Sequence, residues 1–224
     1  MTRTSRPRTL ARRGLLVAAV IGAGAAATAL GVNGASAAPP PQCVAPITVV
    51  QTATTVTGTS GNDTIDCGTA TNAMTINGAG GNDTITGSAF ADTINGQGGD
   101  DTMTGAIGND TLNGGLGDDT GTGSAGNDRL IGGAGNDTLT GSEGDDTLTG
   151  DANNDTLNGG VGVDNLNGGT GKDIIRGDAG NDTLTGPPAD GSSDTVDGGA
   201  NTDVCRREGL FPLTNRDVLI ACNP

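Results

Sequence analysis

Gly132-Gly133-Ala134-Gly135-Asn136-Asp137-Thr138-Leu139-Thr140 decides the fold, because its nine-residue pattern returns in register along half the chain. An Asp recurs at every ninth position, at Asp83, Asp92, Asp101, Asp110, Asp119, Asp128, Asp137, Asp146, Asp155, Asp164, Asp173 and Asp182. Two residues after each Asp stands an aliphatic side chain, such as Ile85, Met103, Leu112 or Ile175, with Gly121 the one break. Five residues before each Asp is a Gly, from Gly78 to Gly177 without exception. A second Gly usually stands two before it, as at Gly81, Gly99 and Gly135. A run this regular is a repeat array, whose short units are stable only when stacked.

The unbroken Gly position predicts a turn with backbone at positive φ, where a Cβ would obstruct. The Thr-Leu-Thr and Thr-Leu-Asn triplets favour strand, with the central residue pointing opposite to its neighbours. A triplet is too short to form a sheet alone, so it must stack on copies of itself about 4.8 Å apart. A flexible Gly/Asn/Asp-rich linker is the simplest competing reading, but it does not explain an aliphatic residue at one fixed phase. An antiparallel meander is the other, since Asn95-Gly96 and Asn113-Gly114 are hairpin signals.

The unit resembles the glycine-rich nonapeptide of the RTX family, G-G-x-G-x-D-x-U-x with U aliphatic. The resemblance implies an all-β fold, a right-handed parallel β-roll in which six residues turn and three form a short strand. It also decides parallel over antiparallel. Two nonapeptides complete a coil, and Ca2+ is held between successive turns on each side. Consecutive repeats then fall on opposite sheets, and the Asp residues stack into two columns. Asp83, Asp101, Asp119, Asp137, Asp155 and Asp173 form one; Asp92, Asp110, Asp128, Asp146, Asp164 and Asp182 form the other. Like charges about 5 Å apart repel by roughly 3 kcal/mol per pair at an effective dielectric near 20. Summed over both columns, this exceeds the roughly 5–15 kcal/mol stability of an ordinary domain, so a cation is expected among these twelve metal-site candidates. Calcium suits carboxylate and carbonyl oxygens. The absence of His, and four Cys outside the regular run, disfavour zinc and copper.

Composition agrees with an unusual core. The 224 residues include 42 Gly, two Phe, no Trp and no Tyr. The net charge of −15 argues against nucleic acid as a partner. Residues 1–37 read as a signal peptide of the Sec or twin-arginine type: a basic stretch to Arg13, an apolar run from Gly14 to Val32, and a cleavage motif at Ala35-Ser36-Ala37. An uncleaved anchor is the alternative, since about 19 residues can span a bilayer. Cleavage leaves 6 Lys+Arg against 26 Asp+Glu, a charge of −20. Residues 38–56 form a Pro-rich lead and N-terminal cap with Ile47-Thr48-Val49-Val50 as a capping strand, 57–205 the calcium roll, and 206–224 a C-terminal cap with a strand at Val218-Leu219-Ile220.

Weak turns are the one carrying Met74 in place of Asp, the Phe90 turn, and Gly162-Val163-Asp164. An insertion holding Pro187 and Pro188 delays the next Asp to Asp194. In an exported chain the four Cys suggest disulfides, and free buried thiols are the alternative. Roll ends about 30 Å or more apart favour Cys43–Cys67 and Cys205–Cys222.

No catalytic residues emerge. Without His there is no conventional triad, and the aliphatic residues are consumed by the interior rather than lining a pocket. The toxin, lipase and protease activities of longer RTX proteins do not carry over, because the leader and the repeats leave no room for such domains. The expectation is a secreted or wall-associated calcium-binding module that folds outside the cell. A calcium store is one alternative. Another is a surface-binding protein for ice, mineral, a cell surface or a polysaccharide, using the file of Thr84, Thr86, Thr102, Thr104, Thr120, Thr122, Thr138 and Thr140.

Overall fold

A three-residue strand must find its main-chain partners on other copies of itself, and this chain folds so that it does. Leu139 pairs in register with Leu157, and Leu130 with Leu148, so each residue stacks on the one two repeats further on. The strands alternate between two sheets of ten and nine strands. Apart from Val50–Gln51, which lies antiparallel to Thr55–Thr57, every sheet pairing among the described residues is parallel. The structure, a computed structural model, describes residues 43, 50–51, 54–186, 194–207 and 218–220, and it is an all-β parallel β-roll. The leader, most of the Pro-rich lead with Ile47-Thr48-Val49, the insertion at Pro187-Pro188, and Cys222 lie outside the described residues.

One inward aliphatic from each repeat but that of Gly121 fills the interior. Val56, Ile65 and Ile76 begin the stack, Ile94, Leu112, Leu130 and Leu148 continue it, and Val196 extends it past the strict period. Each is at most 2 % exposed, which makes a narrow but fully dry core. Gly121 faces the same interior, where Leu112, Leu130 and Leu139 methyl groups close around it. Irregular spacing does not break the register. Ile65 pairs with Ile85 and Ile175 with Val196, so the extra residues between them leave the ladder intact.

Two expectations are corrected. First, most strands of the regular run span six residues, as in Thr138–Glu143 and Thr147–Ala152, while Thr84–Thr86 keeps the expected three. The ladder continues through residues expected to turn, because Ser142 and Glu143 still pair with Gly160 and Val161. Second, the unbroken Gly five residues before each Asp does not have positive φ. Positive φ falls one and three residues later, for example at Ser142 (93°) and Gly144 (124°). The unbroken Gly points inward instead, and the requirement there is space. The first parallel strand starts at Thr55, and the expected strand Val218–Ile220 lies in parallel on the nine-stranded sheet.

Cys43 is disulfide-bonded to Cys67, with Cα atoms 4.1 Å apart, as expected. Cys205 is also disulfide-bonded, its expected partner Cys222 lying outside the described residues.

Candidate functional site

The Asp of each repeat ends the bend and turns its carboxylate back into the roll. Asp137 Oδ1 accepts the main-chain N–H of Asp119 at 2.8 Å, and the N–H of Asp137 is donated to Asp155 Oδ1 at 2.8 Å. The same bond links each Asp to the next in its column. It passes through Asp83, Asp101, Asp119, Asp137, Asp155 and Asp173 on one side. On the other it passes through Asp92, Asp110, Asp128, Asp146, Asp164 and Asp182. All twelve candidates therefore lie in two unbroken columns, each at most 3 % exposed.

The columns are longer than the strict period indicated. Asp63 donates its N–H to Asp83 Oδ1, Asp194 accepts from Asp173, and Asp203 accepts from Asp182. Met74 stands at the foot of the second column, its N–H donated to Asp92 Oδ1. Asn62-Asp63-Thr64-Ile65 and Asn201-Thr202-Asp203 carried the repeat's signature, but inserted residues put them out of phase.

The second carboxylate oxygen defines the chemistry. Oδ2 of Asp83, Asp101, Asp110, Asp119, Asp128, Asp137, Asp146, Asp155, Asp164, Asp182 and Asp203 is buried with no hydrogen-bond partner among the described residues. In each case it occupies the space that a Cβ on the inward Gly would need, so the unbroken Gly exists to admit the carboxylate. At Gly78 the same space is bordered by Asp83 Oδ2 and, from the next coil, by the Gly96 carbonyl oxygen. Asp92 and Asp63 differ. Ser88 donates its N–H to Asp92 Oδ2 and its hydroxyl to Oδ1, and Thr59 donates both N–H and hydroxyl to Asp63 Oδ2.

A buried carboxylate with an unmatched oxygen resists ionisation. Burial pushes Asp119, Asp146 and Asp155 up to about 7, and Asp110 and Asp164 up to about 6, from an ordinary 3.8. Charges of column neighbours add to this, and the accepted main-chain N–H opposes it. Desolvation is thus the larger cause, where the sequence had put mutual repulsion first.

A second ladder, which the sequence reading missed, runs along the outside. The residue just before each Asp is usually Asn or Asp, and its side chain reaches to the following coil. Asp118 Oδ1 accepts the N–H of Asn136, and Asn136 Oδ1 accepts that of Asn154. On the other side Asn109 accepts from Asn127, and Asn127 from Asp145. The buried column reaches back one coil and the exposed one reaches forward, so each bend is held in both directions. The recurring Asn-Asp and Asp-Asp pairs were the available signal.

Among the described residues no three acidic or Cys side chains converge on one point. A cation at these columns would therefore complete its shell with main-chain carbonyls, a donor set that suits calcium. Stacked coils with buried carboxylate files define a repeat protein organised around oxygen ligands. The RTX calcium-binding nonapeptide repeat (4 copies) matches residues 52–68, 77–112, 86–121, 113–148, 122–157, 131–166 and 158–186, more than half the chain. The chain belongs to this family of calcium-binding repeats. No curated protein matches it.

Proposed function

We propose that this chain is an exported structural module whose roll folds on calcium, held by the buried Asp columns and carbonyl oxygens of the inward Gly positions. The observation that carries this is the file of buried Oδ2 atoms without donors. Each needs a proton or a cation, and near neutral pH a cation is the stronger partner. Asp83, Asp101, Asp110, Asp119, Asp128, Asp137, Asp146, Asp155, Asp164 and Asp182 supply the matching oxygens, with Asp203 extending the set. Asp173 lies in the same column. Asp92 is the weakest of the twelve candidates, because Ser88 already satisfies it. Export is supported by the Cys43–Cys67 disulfide, which persists in oxidising compartments, and by the leader's charge and apolar pattern. Cytosolic calcium is too scarce for weak extracellular-type sites, so folding would wait until the chain is outside. The role is binding and scaffolding rather than catalysis.

Calcium titration followed by far-UV circular dichroism tests the reading. The mature chain gains β signal as calcium rises toward about millimolar and loses it on chelation. A spectrum unchanged by chelator overturns it. Intact mass of the exported protein, expected to begin at Ala38, tests the leader.

The Thr file gives a second reading. Thr84, Thr102, Thr120 and Thr138 are in register, as are Thr86, Thr104, Thr122 and Thr140, so the nine-stranded sheet presents two parallel rows of Thr. Ice or another crystalline surface is the partner such a lattice would fit. Thermal hysteresis in the calcium-loaded protein, lost in Thr120→Lys, supports it, and no hysteresis removes it.

A further inference from the structure

The outer face of the ten-stranded sheet carries a strip without acids. Its outward positions beside the buried aliphatics run from Thr55 and Thr57 to Val204 and Arg206, and no rung carries an acid. The whole sequence holds 26 Asp+Glu against 11 Lys+Arg, so an acid-free strip over nine rungs is a departure, and the exposed acid of this sheet, Asp151, lies beyond the strip at the far end of Thr147–Ala152. The opposite sheet does not share it: Asp66 is on its outer face, and Arg176 stands in register beside Asp197.

Within the acid-free face, long side chains bracket short ones. The Arg129/Ile131 rung is followed by Thr147/Thr149, Asn165/Asn167 and Thr183/Thr185, then by the Val204/Arg206 rung. Three rungs of short polar side chains between two taller rungs make a shallow trough of about 420 Å³, with Arg129 at one end and Arg206 at the other. Both arginines are exposed. The register gives each only uncharged neighbours, Thr111 and Thr147 for Arg129 and Thr185 for Arg206. Four coil spacings of about 4.8 Å put the two guanidinium stems roughly 19 Å apart, on opposite files of the trough.

The geometry points to a binding site for a linear anionic polysaccharide laid along the trough. The floor offers hydroxyl and amide groups, each able to donate and accept, which matches a polymer whose own surface is hydroxyl. The arginine forks at the ends match carboxylate or sulfate groups on that polymer by paired, charge-assisted hydrogen bonds. Nucleic acid fits poorly. The chain has no Trp or Tyr to stack on bases, and two arginines neutralise few phosphates.

The site depends on a folded roll but not on which Asp residues hold calcium, and it lies on the sheet opposite the Thr double file. The test is titration of the full mature chain at fixed millimolar-range calcium with an oligogalacturonate, with neutral dextran and duplex DNA in parallel arms. Arg129→Gln with Arg206→Gln is expected to weaken oligogalacturonate binding at least tenfold, and each single substitution by about threefold. Asn167→Glu, which puts a negative charge on the floor, should weaken it comparably. Asn158→Glu, the matching charge change on the other sheet, should not weaken it. Unchanged circular dichroism in each variant separates loss of the site from loss of the roll. Binding that survives the double substitution would come from calcium bridging and overturns the proposal. Equal binding of dextran, tighter binding of DNA, or no binding of oligogalacturonate by the folded protein each overturns it as well.

Discussion

Asp118 and Asp119 are neighbours in sequence, both carboxylates, and both accept a main-chain N–H from an adjacent coil, yet they belong to different machines. Asp119 faces the interior, bonds to Asp101 N–H, and leaves one oxygen buried without a donor. Asp118 faces solvent, bonds to Asn136 N–H, and leaves its other oxygen to water. Water satisfies an exposed carboxylate oxygen at no cost, whereas a desolvated one raises the proton affinity of the whole group. The outer ladder is therefore complete in itself. The inner column is incomplete, and that makes it dependent on a cation.

The sharpest way to break this contrast is to substitute the two residues in turn. Asp119→Ala leaves the Asp101 N–H without its acceptor, at a cost of about 1–3 kcal/mol, and removes a metal oxygen from mid-column. Because each coil contacts only its neighbours, calcium-dependent folding should lose cooperativity as well as midpoint. Asp118→Ala should stay within about 0.5 kcal/mol, as exposed substitutions usually do. Calcium titrations of the two variants by circular dichroism decide it. Equal effects would mean that the inner and outer carboxylates are equivalent, against the geometry. Asp63→Ala should resemble Asp118→Ala in its calcium response, since Thr59 already satisfies its second oxygen.

A pH series sharpens the same contrast. Burial raises the folded-state pKa of Asp119, Asp146 and Asp155 to about 7, and that of Asp110 and Asp164 to about 6, from 3.8. The folded, calcium-free roll thus binds more protons than the unfolded chain. Its stability rises as pH falls from about 7 toward 4 and is lost again as pH rises through that window. Chelated protein should gain β signal on acidification across that range, while calcium affinity falls as protons compete for the same oxygens. A chelated chain that loses structure on mild acidification would contradict the burial-driven shift.

A smaller effect is expected at one core position. Gly121 replaces the inward aliphatic, and a Cβ there would lie 3.2 Å from Leu139 Cδ2 and 3.6 Å from Leu130 Cδ2. Its φ is not positive, so Gly121→Ala reduces the freedom of the unfolded chain without backbone strain, a gain of about 0.4–1 kcal/mol if Leu139 yields slightly. Leu130→Ala, a fully buried truncation, should instead cost about 2–5 kcal/mol. Thermal midpoints measured in calcium give both values, and destabilisation by Gly121→Ala would show that the leucines cannot yield.

The sequence by itself determined the period and the aliphatic phase, the two Asp columns followed from the two-repeat coil that the RTX resemblance implies, and the Cys43–Cys67 pairing was favoured before the structure placed it. A strict nine-residue recurrence constrains which residues meet once two repeats make a coil. Tertiary structure alone decided what each position is for. The unbroken Gly looked like a turn residue, and it proved to be the cavity that receives Asp Oδ2 from its own repeat. The Asn or Asp that precedes most of the column Asp residues had no role in the sequence pattern, and it forms a hydrogen-bonding ladder to the next coil. Arg129 and Arg206, 77 positions apart in sequence, proved to bracket one trough. The ladder and the trough arise between residues about 18 positions apart or several coils apart, whose approach depends on the stacking of the backbone. A local pattern records which residues recur but not which oxygen is left dry when the coils close.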